Sequence, residues 1–188
     1  MRSLILCSAL LASLSHADWE ITAPSNVSFL STKNSSITEV HRFNSVTGTL
    51  TEKGSATMVI DLTSVNTGIE IRDERMQKML FDVDQFSKAT LTTSVDPALL
   101  KKAQSGAITE ADITASLSLH GHEVSMPAKV IITPAKDGSI VVSSAQPVLL
   151  QASEFGLVEG INKLRDIAKL QHIATTVPVS FTLTFKAQ

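Results

Sequence analysis

The chain has little cysteine, no tyrosine and few aromatic residues of any kind. Its single cysteine is Cys7, and aromatic residues make up 4% of the sequence. A lone cysteine forms no disulfide framework, and the chain after Cys7 offers no thiolate for nucleophilic catalysis. The aromatic content is too low for the stacking platforms with which proteins bind bases or sugars.

The sequence also lacks an excess of positive charge. Lys and Arg together number 16 and Asp and Glu number 18, so the formal net charge is −2. Proteins that bind nucleic acid neutralise its phosphates with clustered Lys and Arg side chains, and this chain has no such surplus. We therefore expect no nucleic-acid partner.

The N-terminal segment 1–17 has the layout of a secretory signal peptide. Arg2 supplies a positive charge, residues 4–14 form a short apolar stretch, and small residues precede a cleavage site after Ala17. The apolar stretch is shorter than the about 20 residues that a transmembrane helix needs. We therefore predict cleavage after Ala17, export to the periplasm, and one domain over residues 18–188 without a transmembrane segment.

Short alternating stretches rich in Thr, Ser, Val and Ile dominate the rest of the chain, and Gly, Asn and Pro separate them. This spacing, without strand–helix–strand alternation, predicts an antiparallel sandwich or barrel. The stretch 37–50 has no clean apolar face. We expect it to bend and to exchange its two faces at a bulge, with Gly48 as a natural point of relaxation.

Two amphipathic helices are predicted between the strands, over about residues 69–80 and 158–172. In the second, Ile161 and Leu164 belong to an apolar stripe at helical spacing. A helix of this length would measure about 22 Å and could cross the mouth of a barrel. Residues 97–106 are interpreted either as a short third helix or as an ordered loop.

Several motifs occur in the order that is typical of one protein family. They are Ser64, Thr67-Gly68, Arg72-Asp73, Phe81 and Phe86, followed by segments 112–129, 152–157 and 177–185. Together they resemble the YceI-like family. Its members often have His where this chain has Arg75, Tyr-Pro where it has Phe86-Ser87, and a basic residue where it has Ala152. The resemblance implies an all-β, antiparallel lipocalin-like β-barrel of about eight strands that binds polyisoprenoids or other long-chain lipids.

No arrangement of catalytic residues is recognisable. The sequence has no G-x-S-x-G motif, no obvious pair of catalytic carboxylates and no glycine-rich phosphate loop. His120 and His122 flank Gly121 at an expected hairpin turn, and only Glu123 lies nearby as a further ligand. Solvent-exposed turn histidines are therefore favoured over a metal site. We predict a protein that is not an enzyme, with no metal and no cofactor apart from a bound lipid.

The predicted function is the carriage or storage of a long-chain apolar ligand in the barrel interior. The resemblance implies a polyisoprenoid, an isoprenoid quinone or a fatty acyl derivative. Burial of each CH₂ group contributes about 0.8 kcal/mol, so a long chain requires few hydrogen bonds. The predicted lining is apolar: Phe29, Phe43, Met58, Ile60, Met76, Met79, Leu80, Phe81, Leu91, Leu117, Leu119, Phe155, Ile161, Leu164, Phe181 and Leu183.

Two questions remain open at the level of sequence. Arg72 and Arg75 either dock the first helix to the barrel rim or contact the head group of the ligand, because guanidinium binds phosphate in a bidentate manner. The alternative function is a periplasmic interaction or stress-response module with a filled core, no lipid and a membrane-protein partner. A homodimer is compatible with either function.

Overall fold

The computed structural model describes residues 19–188, so the predicted signal peptide over residues 1–17 lies outside the described residues. Its strands are β1 (Trp19–Lys33), β2 (Ile37–Phe43), β3 (Val46–Leu50), β4 (Ser55–Asp61), β5 (Val65–Asn66), β6 (Lys88–Ser94), β7 (Thr109–Leu119), β8 (His122–Pro134), β9 (Ile140–Ser144), β10 (Val148–Gln151) and β11 (Thr176–Ala187). Its helices are α1 (Glu70–Arg75), α2 (Pro97–Gln104) and α3 (Val158–Ile167). Helix α1 continues directly into a π-helical turn, Met76–Phe81.

The antiparallel sheet closes on itself because β1 pairs with β11 at one side and with β3 at the other. The eight strands around the barrel are, in order, β1, β3, β4, β6, β7, β8, β9 and β11. The predicted all-β, lipocalin-like antiparallel barrel is therefore confirmed. Strands β2, β5 and β10 extend the wall at one end, where β2 and β10 add to the outer halves of β1 and β11.

The predicted bend within residues 37–50 occurs at Asn44 and Ser45, between β2 and β3, and not at Gly48. His41 and Phe43 face the barrel interior from odd positions, whereas Leu50 faces it from an even position. The two residues between the strands therefore exchange the inward and outward faces, as expected for a strand that turns a barrel corner. Gly48 instead lets β3 approach β4, since a Cβ there would lie 2.3 Å from the Thr57 carbonyl oxygen.

Helix α3 lies across the π-helical turn, and a glycine makes the close approach possible. A Cβ atom at Gly160 would lie 2.5 Å from the Met79 carbonyl oxygen and 2.8 Å from the Leu80 Cα. Both distances are shorter than van der Waals contact, so any larger residue would push α3 away from the turn. This contact joins the two predicted amphipathic helices into one unit over the end of the barrel that carries β2 and β10.

The second helix is shorter than the predicted range of 158–172, because it ends at Ile167. Lys169 has a left-handed φ of 52°. The Lys169 amide donates to the Asp166 carbonyl at 3.1 Å, and the Leu170 amide donates to the Arg165 carbonyl at 3.0 Å. This is the hydrogen-bond pattern of a Schellman termination, which the apolar periodicity does not reveal. The helix is about 15 Å long, not about 22 Å.

Within residues 97–106, Pro97–Gln104 form helix α2, which decides between the two interpretations of this segment. The Asp96 carboxylate accepts a hydrogen bond from the Ala98 amide at 2.8 Å, and Pro97 occupies the first helical turn. Both features favour helix initiation. Leu100 and Ala103 are buried.

No helix in the described range 19–188 is both long and apolar enough to cross a membrane.

Candidate functional site

The interior of the barrel contains a cavity of about 610 Å³. Inward-facing side chains from strands on all sides of the barrel form its wall, and α1, the π-helical turn and α3 cover one end. Most of these side chains are aliphatic or phenylalanine. Pockets that bind one small organic molecule usually measure about 300–1,000 Å³ and have mostly apolar walls. The barrel therefore has room for a ligand, and its core is not filled.

The structure brings together nearly all the residues predicted to line the interior. The cavity wall contains Phe29, Phe43, Met58, Ile60, Met76, Leu80, Phe81, Leu91, Leu117, Leu119, Phe155, Ile161, Leu164, Phe181 and Leu183. Of the predicted set, Met79 alone is missing from the wall. Arg72 and Arg75 also border the cavity. Contact between these residues and a ligand stays a prediction.

Met79 lies outside the cavity, with 38% of its surface exposed. The prediction assumed an α-helix with 3.6 residues per turn, in which Met76 and Met79 share a face. The segment is instead a π-helix, which has a larger repeat of i to i+5. Met76 and Phe81, five residues apart, are the buried pair of this turn, and Met79 is rotated outward.

The mouth of the cavity lies between α1 and the C-terminal end of α3. Ile69, Ile71 and Ile167 border the cavity and remain 49%, 51% and 42% exposed, respectively. The β1–β2 hairpin forms the third side, where the Asn34 amide donates to the His172 carbonyl at 2.9 Å. At this opening the apolar surface of the cavity therefore continues to the outside of the protein.

The polar side chains that sequence analysis did not predict lie at this same end. Lys33 of β1 and Glu39 and His41 of β2 border the cavity, next to Arg72 of α1. A sequence signal does exist, because Glu39 and His41 have the same parity as Phe43 on β2. Alternation along the strand therefore places them on the inner face. Because that face mixes polar and apolar residues, sequence analysis did not identify it as the inner face.

Arg72 docks α1 to the barrel rim. Its Nη1 donates to Glu39 Oε2 at 2.8 Å, and its Nη2 donates to the Thr67 carbonyl oxygen at 2.7 Å. Lys33 forms a second ion pair with the same Glu39 oxygen. Asp73 accepts hydrogen bonds from the Thr67 amide at 2.8 Å and from its hydroxyl at 2.5 Å. The Arg-Asp pair thus holds the start of α1 to β2 and to the loop before it.

His41 is a buried histidine at the polar end, with 3% of its surface exposed. Its ring packs edge-on against Phe29 with a centroid distance of 5.4 Å, and its buried Nδ1 has no protein hydrogen-bond partner. Burial lowers the pKa of His41 from its usual 6.5, and the positive charge of Arg72 lowers it further. The hydrogen bond from Lys33 is the main cause of a lowered pKa at Glu39.

We expect the free energy of unfolding to rise with pH between the lowered pKa of His41 and its unfolded value near 6.5. In this window the unfolded chain binds more protons at this site than the folded chain does, so acidification favours unfolding. The contribution has an upper limit of about 1.4 kcal/mol per pH unit, the value for one proton. Denaturant unfolding at a series of pH values measures it.

The variant His41→Phe keeps the aromatic packing on Phe29 and should flatten this pH dependence. The matched control is His172→Gln, because His172 is exposed and its replacement should leave the slope unchanged. A slope in His41→Phe equal to that of the wild-type protein would show that another group causes the pH dependence.

The predicted hairpin turn at His120 and Gly121 is present, with left-handed φ values of 52° and 78°. The prediction of two exposed histidines is wrong for His120, which is half-buried. Its Nδ1 lies 3.1 Å from the Phe155 carbonyl oxygen, to which it donates, and its ring lies 4.8 Å from that of Phe86. Within the described part of the chain, no group of His, Cys, Asp and Glu residues is arranged to hold a metal ion.

Comparisons with known proteins agree with this architecture. The model of the YceI-like domain matches residues 19–185. A solved structure described as a polyisoprenoid binding domain from Saccharophagus degradans, implicated in plant cell wall breakdown, has 36% sequence identity and a TM-score of 0.88. That alignment covers 92% of this chain and 100% of the other. No curated protein matches the chain.

Two more distant structures show the fold alone. Burkholderia cenocepacia BcnA has 20% identity and a TM-score of 0.64, with 85% of this chain and 95% of that chain covered. A Campylobacter jejuni YCEI protein has 14% identity and a TM-score of 0.57, with 79% and 85% covered. The predicted resemblance is confirmed by the domain match and by the Saccharophagus relative. The chain belongs to the YceI-like family.

Proposed function

We propose that this protein is a non-enzymatic carrier or store of a long-chain apolar ligand, held in the barrel interior. The observation that carries the proposal is the apolar cavity of about 610 Å³ with a partly exposed apolar mouth. The ligand class is a polyisoprenoid, an isoprenoid quinone or a fatty acyl derivative. The binding of polyisoprenoid that is stated for the Saccharophagus degradans relative supports the first of these.

The energetics of burial support a ligand of this kind. At about 0.8 kcal/mol for each buried CH₂ group, a dozen methylene groups contribute roughly 10 kcal/mol before the cost of ordering the chain. This is enough for tight binding without a network of directional contacts. The wall of the cavity matches this requirement, because its polar side chains are few and concentrated at the mouth.

The alternative, an interaction module with a filled core, has less support. A filled core would require the inward side chains to meet across the barrel at the packing density of a protein interior. The inward residues of this barrel surround open space instead.

We also propose export to the periplasm, on the basis of the signal-peptide layout of residues 1–17 and the absence of cysteine after it.

Native mass spectrometry of the protein purified from the periplasm of a bacterial host tests these proposals together. We expect one adduct of long-chain mass per protein, identified after organic extraction, on a chain that begins at Asp18. A protein mass without adduct under gentle conditions, together with no lipid in the extract, would instead favour an interaction module that binds no lipid. A chain that retains residues 1–17 would contradict export by signal-peptide cleavage.

A further inference from the structure

The mouth of the cavity is rich in hydrogen-bond donors and poor in acceptors. The charged residues on the cavity wall are three cations and one carboxylate: Lys33, Arg72, Arg75 and Glu39. Both Lys33 and Arg72 already share the same oxygen of that carboxylate. One anion therefore neutralises one of three positive charges, and the wall has a surplus of positive charge at one end only.

Arg75 is the cation that the protein leaves without a partner. It is half-buried and borders the cavity. Within residues 19–188 its guanidinium forms no hydrogen bond and no ion pair, whereas Arg72, one helical turn earlier, uses two of its nitrogens to dock α1. Leaving a partly desolvated guanidinium unpaired costs free energy, and a bound anion would remove that cost.

A second, independent observation points the same way. Two buried nitrogens at this end, Arg72 Nε and His41 Nδ1, have no hydrogen-bond partner in the protein. Arg72 Nε can act only as a donor, and the ring of His41 can donate in the appropriate tautomer. Arg72 Nε is therefore a buried donor without an acceptor in the protein, and His41 Nδ1 is a second such donor in the tautomer that places its proton there.

We infer that the long-chain ligand has an anionic terminus, a phosphate or a carboxylate, and that Arg75 binds it at the mouth while the chain extends into the barrel. The inference rests on the proposed function and adds the class of the polar end and its orientation. Guanidinium suits both groups, because its planar fork donates two parallel hydrogen bonds to two oxygens of one anion. The surplus charge of the mouth favours such a terminus over an uncharged one.

Isothermal titration calorimetry of the delipidated protein with matched ligands tests the inference. Palmitate, hexadecyl phosphate and hexadecanol have the same chain length and differ in the terminus. We expect the two anionic ligands to bind about ten- to hundredfold more tightly than the alcohol, as for a charge-assisted hydrogen bond. Whichever of the two anionic ligands binds with higher affinity indicates whether the site prefers a phosphate or a carboxylate terminus.

The variant Arg75→Gln should bring both anionic ligands to the affinity of hexadecanol and leave the affinity for hexadecanol unchanged, which also establishes that the variant is folded. Arg75→Lys should restore part of the difference in affinity between the anionic ligands and hexadecanol, because lysine keeps the positive charge but lacks the planar guanidinium group. The control Lys78→Gln removes an exposed cation next to the same helix that does not border the cavity, and it should behave as the wild-type protein does.

Equal affinities for the three ligands in the wild-type protein would overturn the inference and leave the proposed function intact, since the alcohol reports chain binding alone. An equal loss of affinity for all three ligands in Arg75→Gln would also overturn the inference, because Arg75 would then have a structural role. Failure of all three to bind would contradict the proposed function and this inference together.

Discussion

Replacing Leu164 by Trp is expected to lower the affinity for the long-chain ligand by roughly thirtyfold. Leu164 lies on α3 and borders the cavity, so the larger indole occupies space that the ligand needs. Displacing two or three methylene groups from the wall costs about 2 kcal/mol, which corresponds to that factor. The measurement is lipid content after purification, together with titration of the delipidated variant by a long-chain ligand.

The matched control is Met79→Trp. Met79 belongs to the π-helical turn beside α3, but its side chain is 38% exposed and does not border the cavity. The same residue type introduced a short distance away should therefore leave ligand content at the wild-type level. Equal content in Leu164→Trp and wild-type protein, with both folded, would contradict the assignment of this cavity as the binding site.

The second large effect is expected on stability, for Phe155→Ala. Phe155 is 0% exposed, and its carbonyl oxygen accepts the hydrogen bond from His120. Removing a fully buried phenylalanine ring typically destabilises a protein by about 3–5 kcal/mol, because apolar contact is lost and a void remains. Denaturant unfolding of the delipidated protein measures the change without a contribution from the ligand.

Leu149→Ala is the control for this measurement. Leu149 lies six residues earlier on β10, and 58% of its surface is exposed. Its truncation removes a side chain that is largely hydrated already, so a change below about 1 kcal/mol is expected. A similarly small change in the free energy of unfolding for Phe155→Ala would mean that the protein repacks around the lost ring. Phe155 would then contribute little to the stability of the barrel.

Most of the cavity wall could be predicted from the sequence. Both the alternation within a strand and the family motifs depend on residues that are close together along the chain. Phe181 and Leu183 on β11, and Leu117 and Leu119 on β7, show the two-residue spacing of an inward face. Met79 was predicted on the wrong side, since the apolar spacing does not reveal the switch from α- to π-helix at Met76. The end of α3 was missed for a similar reason, because Lys169 adopts a left-handed conformation that favours glycine.

The sequence by itself determined the class of the fold, the apolar character of its interior and the family. These properties follow from local periodicity and from motifs that are short in sequence. Only the tertiary structure decided which charges meet at the mouth, because Lys33, Glu39 and Arg72 come from β1, β2 and α1 and are brought together by strand pairing. It also decided that Arg72 is occupied and Arg75 is free of a protein partner within residues 19–188, since ion pairing depends on distances that no periodicity records.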